Sequence, residues 1–80
     1  MPVPMDAKGA YMFGYRDALA GYLPSYQYFH PFELDYLEGW EDGNGDVTNG
    51  TSADRFYFEH YQQIINMIIQ DGYTWPEGDD

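Results

Sequence analysis

Apolar residues recur at spacings of three and four in three segments of the chain, which is the period of one face of an α-helix. The pattern predicts an all-α fold, a small three-helix domain over 1–80 with helices over 7–22, 31–42 and 52–71. The predicted domain consists of a helix-turn-helix pair and a longer C-terminal amphipathic helix, with a flexible loop over 43–50 and a tail over 72–80. The apolar positions are Tyr11, Tyr15, Ala18, Leu19 and Tyr22, then Phe32, Tyr36, Leu37 and Trp40, then Phe58, Tyr61, Ile65 and Ile68.

Local signals set the predicted helix ends. Asp6 is a typical N-cap, and Leu23 ends the first helix because a residue before proline is disfavoured in the helical region. Pro31 suits the first turn of the second helix, where its missing N–H removes no hydrogen bond. The stretch EDGNGDVTNG over 41–50 is rich in glycine and asparagine, so it ends the second helix and predicts the loop over 43–50, after which Thr51 or Ser52 caps the third helix.

Small residues on the first helix predict a close packing surface. Gly14, Ala18 and Gly21 fall at i, i+4 and i+7, where a neighbouring helix or ring can approach. For Gly21 alone, the alternative is a C-terminal helix stop. The predicted packing residues on the other two helices are Phe32, Tyr36, Trp40, Tyr61, Ile65 and Ile68, whereas Tyr26, Tyr28 and Tyr73 are expected outside the core.

Gly14-Tyr15 with Ala20-Gly21, followed by the motif Tyr36-Leu37-Glu38-Gly39-Trp40, resembles the pattern of ribosome modulation factor and its small bacterial and phage relatives. The resemblance covers about a third of the chain and implies two helices joined by a linker. The ribosome-binding member of that family is basic, whereas this chain is acidic. The resemblance therefore implies the fold, and ribosome association is kept as an alternative function.

Composition narrows the function further. The net charge is −11 with only three Lys and Arg residues. The negative electrostatic field of such a protein repels phosphate backbones and anionic lipid. Direct nucleic-acid binding is therefore not expected, and neither is a membrane span, since no long apolar run is present. The absence of cysteine excludes disulfides, thiolate metal sites and Cys nucleophiles. Without a signal-peptide pattern at the N-terminus, a cytoplasmic protein is expected.

The acidic residues form the candidate partner-binding set. A row of carboxylates on the outer face of the second helix, continued across the loop, predicts imitation of a nucleic-acid backbone, with exposed tyrosines as anchors. The alternative is an ordinary polar face whose charge keeps the protein in solution. The predicted partner-binding residues are Asp35, Glu38, Glu41, Asp42, Asp46, Asp54, Tyr26 and Tyr28.

No catalytic constellation is recognisable. His30 and His60 have no Ser or Asp partner at a triad spacing, so a non-enzymatic protein without cofactor or metal is predicted. Asp42, Asn44 and Asp46 have the spacing at which an EF-hand loop begins, but Val47 replaces its glycine. A degenerate calcium-binding helix-loop-helix is the lesser alternative.

The leading hypothesis is a small acidic inhibitor, encoded by a phage or mobile element, that occupies the basic surface of a host nucleic-acid-binding protein. Inhibitors of CRISPR or restriction systems are of this kind. The alternative from another class is a structural or assembly protein that forms a homodimer through the isoleucine-rich third helix.

Overall fold

A computed structural model describes residues 4–48 and 54–76, with side chains over 4–45 and 61–76. Helix α1 spans Ala7–Ala20, α2 spans Glu33–Thr48 and α3 spans Asp54–Asp71, and a 3₁₀ turn over Tyr26–Phe29 lies between α1 and α2. The described part of the chain contains no strand, which confirms the all-α prediction.

Helix α1 is closed by a cap at each end. The Asp6 carboxylate accepts a hydrogen bond from the Gly9 backbone N–H at 2.9 Å, which satisfies one of the free donors of the first turn. At the other end, Gly21 has a φ of 84° and its N–H donates to the Ala18 carbonyl at 3.1 Å. The Tyr22 N–H donates to the carbonyl of Asp17 at 2.9 Å, which completes a Schellman cap. The helix therefore stops at Ala20 instead of residue 22.

The predicted packing role of Gly21 is wrong. A Cβ atom built on Gly21 would meet nothing within 4 Å, so no helix or ring lies against it. Its left-handed φ explains the glycine instead, because side chains with a Cβ rarely adopt that region. Gly72 ends α3 in the same way, with a φ of 85° and an N–H that donates to the Ile69 carbonyl at 3.0 Å.

Helix α2 differs from its prediction at both ends. The Tyr36 N–H donates to the Phe32 carbonyl at 3.0 Å, so Pro31 lies before the first helical residue, Glu33. At the other end α2 continues to Thr48, and the predicted flexible loop is wrong over 43–48, while 49–50 lies outside the described residues. Helix propensity alone would end the helix near Gly43, but at that residue the helix packs against the Tyr15 carbonyl of α1.

Glycines bring the backbones of α1 and α2 into direct contact. A Cβ atom on Gly14 would lie 2.9 Å from the Trp40 backbone nitrogen, and one on Gly39 would lie 2.8 Å from the Tyr11 carbonyl carbon. A Cβ on Gly43 would also be too close, 2.8 Å from a carbonyl oxygen of α1. Gly39 and Gly43 are four residues apart, a small-residue spacing that lets two helices approach closely.

The core is aromatic and includes the C-terminal segment. The buried Phe29 ring stacks on Tyr36 with centroids 4.5 Å apart, and Trp75 packs edge-on against Phe13 at 5.5 Å. The expectation that Tyr73 lies outside the core is wrong, because its side chain is only 8% exposed. Its ring lies against Gly9, where a Cβ would be 2.7 Å from it.

Over 61–71, where its side chains are described, helix α3 is covered less completely than α1. Ile68 is buried, whereas Met67 is 44% and Ile69 is 69% exposed. Tyr61 and Ile65 are only half-buried. Among the other predicted packing residues, Gly14, Ala18 and Tyr36 are buried, and Phe32 and Trp40 are partly buried against the core.

Candidate interaction surface

The outer side of α2 carries a row of carboxylates, here called the acidic face: Asp35, Glu38, Glu41 and Asp42. The last three are exposed and Asp35 is half-exposed, because the opposite side of the helix packs on α1. Asp46 and Asp54 belong to the predicted set, but their side chains lie outside the described part of the structure. The structure therefore places five of the six predicted carboxylates on α2 and describes the side chains of four of them.

Positive charges that would neutralise this face are used elsewhere. Lys8 forms a salt bridge with Asp71 at 2.9 Å, which joins α1 to the end of α3. Arg16 pairs with the adjacent, buried Asp17. Helix α2 itself contains no Lys or Arg, and the side chain of the third basic residue, Arg55, lies outside the described part. Neither described cation is paired with a carboxylate of the acidic face.

Asp42 has a structural contact as well as an exposed position. The Tyr11 hydroxyl, from α1, donates a hydrogen bond to the Asp42 carboxylate. The sequence pattern places Tyr11 on an apolar helix face, and no local signal indicates that it reaches a carboxylate 31 positions away. Substitutions at Glu38 and Glu41 therefore test the charge of this face without removing the hydrogen bond between Tyr11 and Asp42.

A buried polar cluster behind α2 was not predicted. The Tyr36 hydroxyl donates to Asp17 Oδ2 at 2.5 Å and accepts from the Ser25 backbone N–H at 3.0 Å. Arg16 Nε donates to Asp17 Oδ1 at 2.9 Å, and the guanidinium lies over the Phe13 ring at 5.1 Å. Every buried side-chain polar atom in the described part has a hydrogen-bond partner.

This cluster holds the helices together and is poorly suited to acid–base chemistry. Burial, followed by the hydrogen bond to Asp17, raises the pKa of the Tyr36 phenol far above its ordinary value. A phenol in that state stays protonated at neutral pH and cannot act as a base. The Asp17 carboxylate is occupied by Arg16 and Tyr36 together, so it has no free role toward a substrate.

The segment between α1 and α2 exposes aromatic and aliphatic side chains next to α2. Tyr26 and Tyr28, both predicted as anchors, are 46% and 43% exposed. Tyr22 and Leu23 are also exposed, although the sequence placed Tyr22 on the inner face of the first helix. The Trp40 indole N–H donates to the Tyr22 carbonyl at 3.0 Å, which fastens this segment to α2.

The described part offers no metal site. It contains no group of three His, Asp or Glu side chains that could hold an ion. The start of the loop on which the calcium alternative depends is helical over 42–48, and Asp42 and Asn44, two residues apart on α2, point to different sides. His30 Nδ1 lies 2.9 Å from Glu33 Oε2, and this bond lowers the pKa of the Glu33 carboxyl.

Comparison with known proteins does not identify a family. The chain matches no protein-family model, no curated protein and no solved structure. The resemblance to ribosome modulation factor therefore stays a prediction from short glycine–aromatic motifs. In the described residues, no helix is long and apolar enough to cross a membrane.

Proposed function

We propose that this protein is a small, non-enzymatic inhibitor that occupies the basic, nucleic-acid-binding surface of another protein. In this proposal the chain is encoded by a phage or mobile element, and its target is a protein of the host cytoplasm. The observation that carries the proposal is the acidic face on α2, which is exposed while Lys8 and Arg16 are paired elsewhere.

The charge density of the acidic face supports imitation of a nucleic-acid strand. From Asp35 to Asp42 the helix rises by about 10.5 Å, at roughly 1.5 Å per residue. Four carboxylates over that length give about one charge every 3.5 Å, close to the roughly 3.4 Å per charge of one DNA strand. A basic groove shaped for phosphates therefore meets a similar linear charge.

Exposed rings beside α2 supply the contact area that charge alone does not. Tyrosine is enriched among the residues that dominate binding energy at protein interfaces, because it combines a large rigid ring with a polar tip. Tyr26 and Tyr28 each expose more than two fifths of their surface. They are the proposed anchors.

The test is capture from a bacterial lysate on the immobilised protein, followed by elution with duplex DNA. The variant pair Glu38→Gln with Glu41→Gln makes the net charge two units less negative on the acidic face. A matched control, Gln63→Lys with Gln70→Lys, makes the same change at exposed positions of α3. Asp42 is left intact because it accepts the Tyr11 hydrogen bond.

We expect the wild-type protein and the α3 control to capture proteins that duplex DNA displaces and that are lost steeply as salt rises. The Glu38 and Glu41 double variant should lose most of that capture. Equal losses in both double variants would show that only total charge matters, as the solubility alternative requires. Captured proteins that DNA fails to displace would contradict imitation of nucleic acid.

A further inference from the structure

One side of α3 has the geometry of a helix–helix contact but no partner within the described part of the chain. Gln62, Ile65, Asn66 and Ile69, here called the α3 flank, lie at i, i+3, i+4 and i+7 and so form one stripe. Ile69 is 69% exposed, Ile65 is half-buried, and the two amides are exposed. Ile68, on the neighbouring side of the helix, is buried in the core.

The α3 flank lies in an uncharged segment of a strongly acidic protein. Residues 61–70, YQQIINMIIQ, include no Asp, Glu, Lys or Arg, although the chain has 14 acidic residues in 80. Two copies can therefore meet here without placing like charges against each other. A basic partner would gain nothing from this surface, since it offers no carboxylate.

The other uncharged exposed region is less suited to a second copy. The segment with Tyr22 and Tyr26 also lacks charge, but Trp40 fastens it to α2. A contact there would lie next to α2, which carries the acidic face and contains no Lys or Arg. Like charges that come within about 8 Å of each other repel and are only partly screened at physiological salt.

We propose that the α3 flank is a self-association surface that binds the same flank of a second copy. The two α3 helices pack around a two-fold axis, with Ile65 and Ile69 interlocking across it. The amides of Gln62 and Asn66 each carry a donor and an acceptor, so they can pair with the same groups of the second copy. Amides in such a stripe also favour one register over others.

The contact is small, so the dimer is expected to be weak. An 18-residue helix is about 27 Å long at roughly 1.5 Å per residue, and one flank of it covers less than the roughly 800 Å² per partner of a standard interface. We therefore expect reversible association, with a dissociation constant on the order of micromolar or weaker.

The first test is sedimentation velocity from micromolar to millimolar concentration. The wild-type mass should rise toward that of a dimer, and Ile69→Glu should stay monomeric with an unchanged circular dichroism spectrum. The control Gln63→Glu adds the same charge at an exposed position off the flank and should associate like wild type. Ile68→Glu is unsuitable because Ile68 is buried, so that charge would disrupt the fold.

A second test does not depend on Ile69. The chain has no cysteine, so a single introduced thiol reports its own contacts. Under oxidation Asn66→Cys should form a disulfide-linked dimer much faster than Gln63→Cys. Equal cross-linking rates, a wild-type protein that stays monomeric, or an Ile69→Glu protein that associates normally would each overturn the proposal.

Discussion

The closest approach of α1 and α2 makes Gly39→Ala an informative substitution. In an isolated helix, alanine is more favourable than glycine by about 1 kcal/mol, so helix propensity alone predicts a more stable protein. In the folded protein the new methyl carbon would lie 2.8 Å from the carbonyl carbon of Tyr11, and closer still to its oxygen. Packing therefore predicts the opposite sign.

The size of the effect follows from that distance. Carbon atoms pack at about 3.5–4.0 Å, so α2 must move roughly 1 Å away from α1, and a gap of that size forfeits a quarter to a half of each contact energy. Overpacking costs about 1–3 kcal/mol, and the clash here is with rigid backbone, so the upper end applies. After the gain in propensity, the net loss is about 2 kcal/mol of an expected total near 4–12 kcal/mol.

Three glycines on α2 make a graded series for thermal unfolding followed by circular dichroism. Gly39→Ala should lower the Tm by roughly 8–16 °C, at about 4–8 °C per kcal/mol for a domain of this size. Gly43→Ala, whose methyl would lie 2.8 Å from the Tyr15 oxygen, should also destabilise. The methyl group of Gly45→Ala would meet nothing within 4 Å. This variant should raise the Tm by roughly 4–8 °C, because alanine has a higher helix propensity than glycine.

The relative thermal stability of the three variants tests whether the backbones of α1 and α2 are in contact. If Gly39→Ala were as stable as Gly45→Ala, the backbones of α1 and α2 would not be in contact and the packing explanation for the length of α2 would fail. If Gly45→Ala were strongly destabilising, residue 45 would not be in an open helical position.

Two further predictions concern the polar contacts of the fold. Asp17→Ala leaves Tyr36 and Arg16 without their shared acceptor. In urea denaturation it should lower the free energy of unfolding by about 2–3 kcal/mol, whereas Tyr36→Phe should lower it by about 1 kcal/mol. Equal losses in the two variants would contradict a buried carboxylate. The hydrogen bond to Asp6 raises the pKa of the Tyr73 phenol to about 12, from an ordinary 10.0. The protonated phenol therefore stabilises the fold below pH 10.0, and that stability is lost as the pH rises toward 12. Tyr73→Phe should flatten the fall of Tm across that window, and an unchanged slope would contradict the link.

Sequence patterns predicted the helical class and the start of α1 because the signals for both are local. The cap at Asp6 and the apolar period lie within a few residues of the elements they specify. Gly21 shows the limit of this reasoning. Packing and helix termination both favour glycine there, and only the open space around the residue distinguishes them.

The features that the sequence did not reveal depend on contacts between distant segments. A stretch with Gly43, Asn44 and Gly45 has low helix propensity, yet it is helical, and at Gly43 it packs against α1. The i, i+4 spacing of Gly39 and Gly43 is the one local signal of that contact. For Tyr73 no such signal exists, since its partner Asp6 is 67 positions away.

The same contact links the fold to the proposed function. Gly39 and Gly43 weaken α2 as an isolated helix, so α2 depends on α1 for its structure, and the carboxylates on its outer side take fixed positions only when the helices are packed. A flexible acidic loop would lose about 1–2 kcal/mol of backbone entropy for each residue ordered on binding. A helix already ordered by α1 avoids that loss, which would favour the proposed binding to a basic partner. Gly43, which the sequence places in a loop, therefore helps to hold the helix that carries the acidic face against α1.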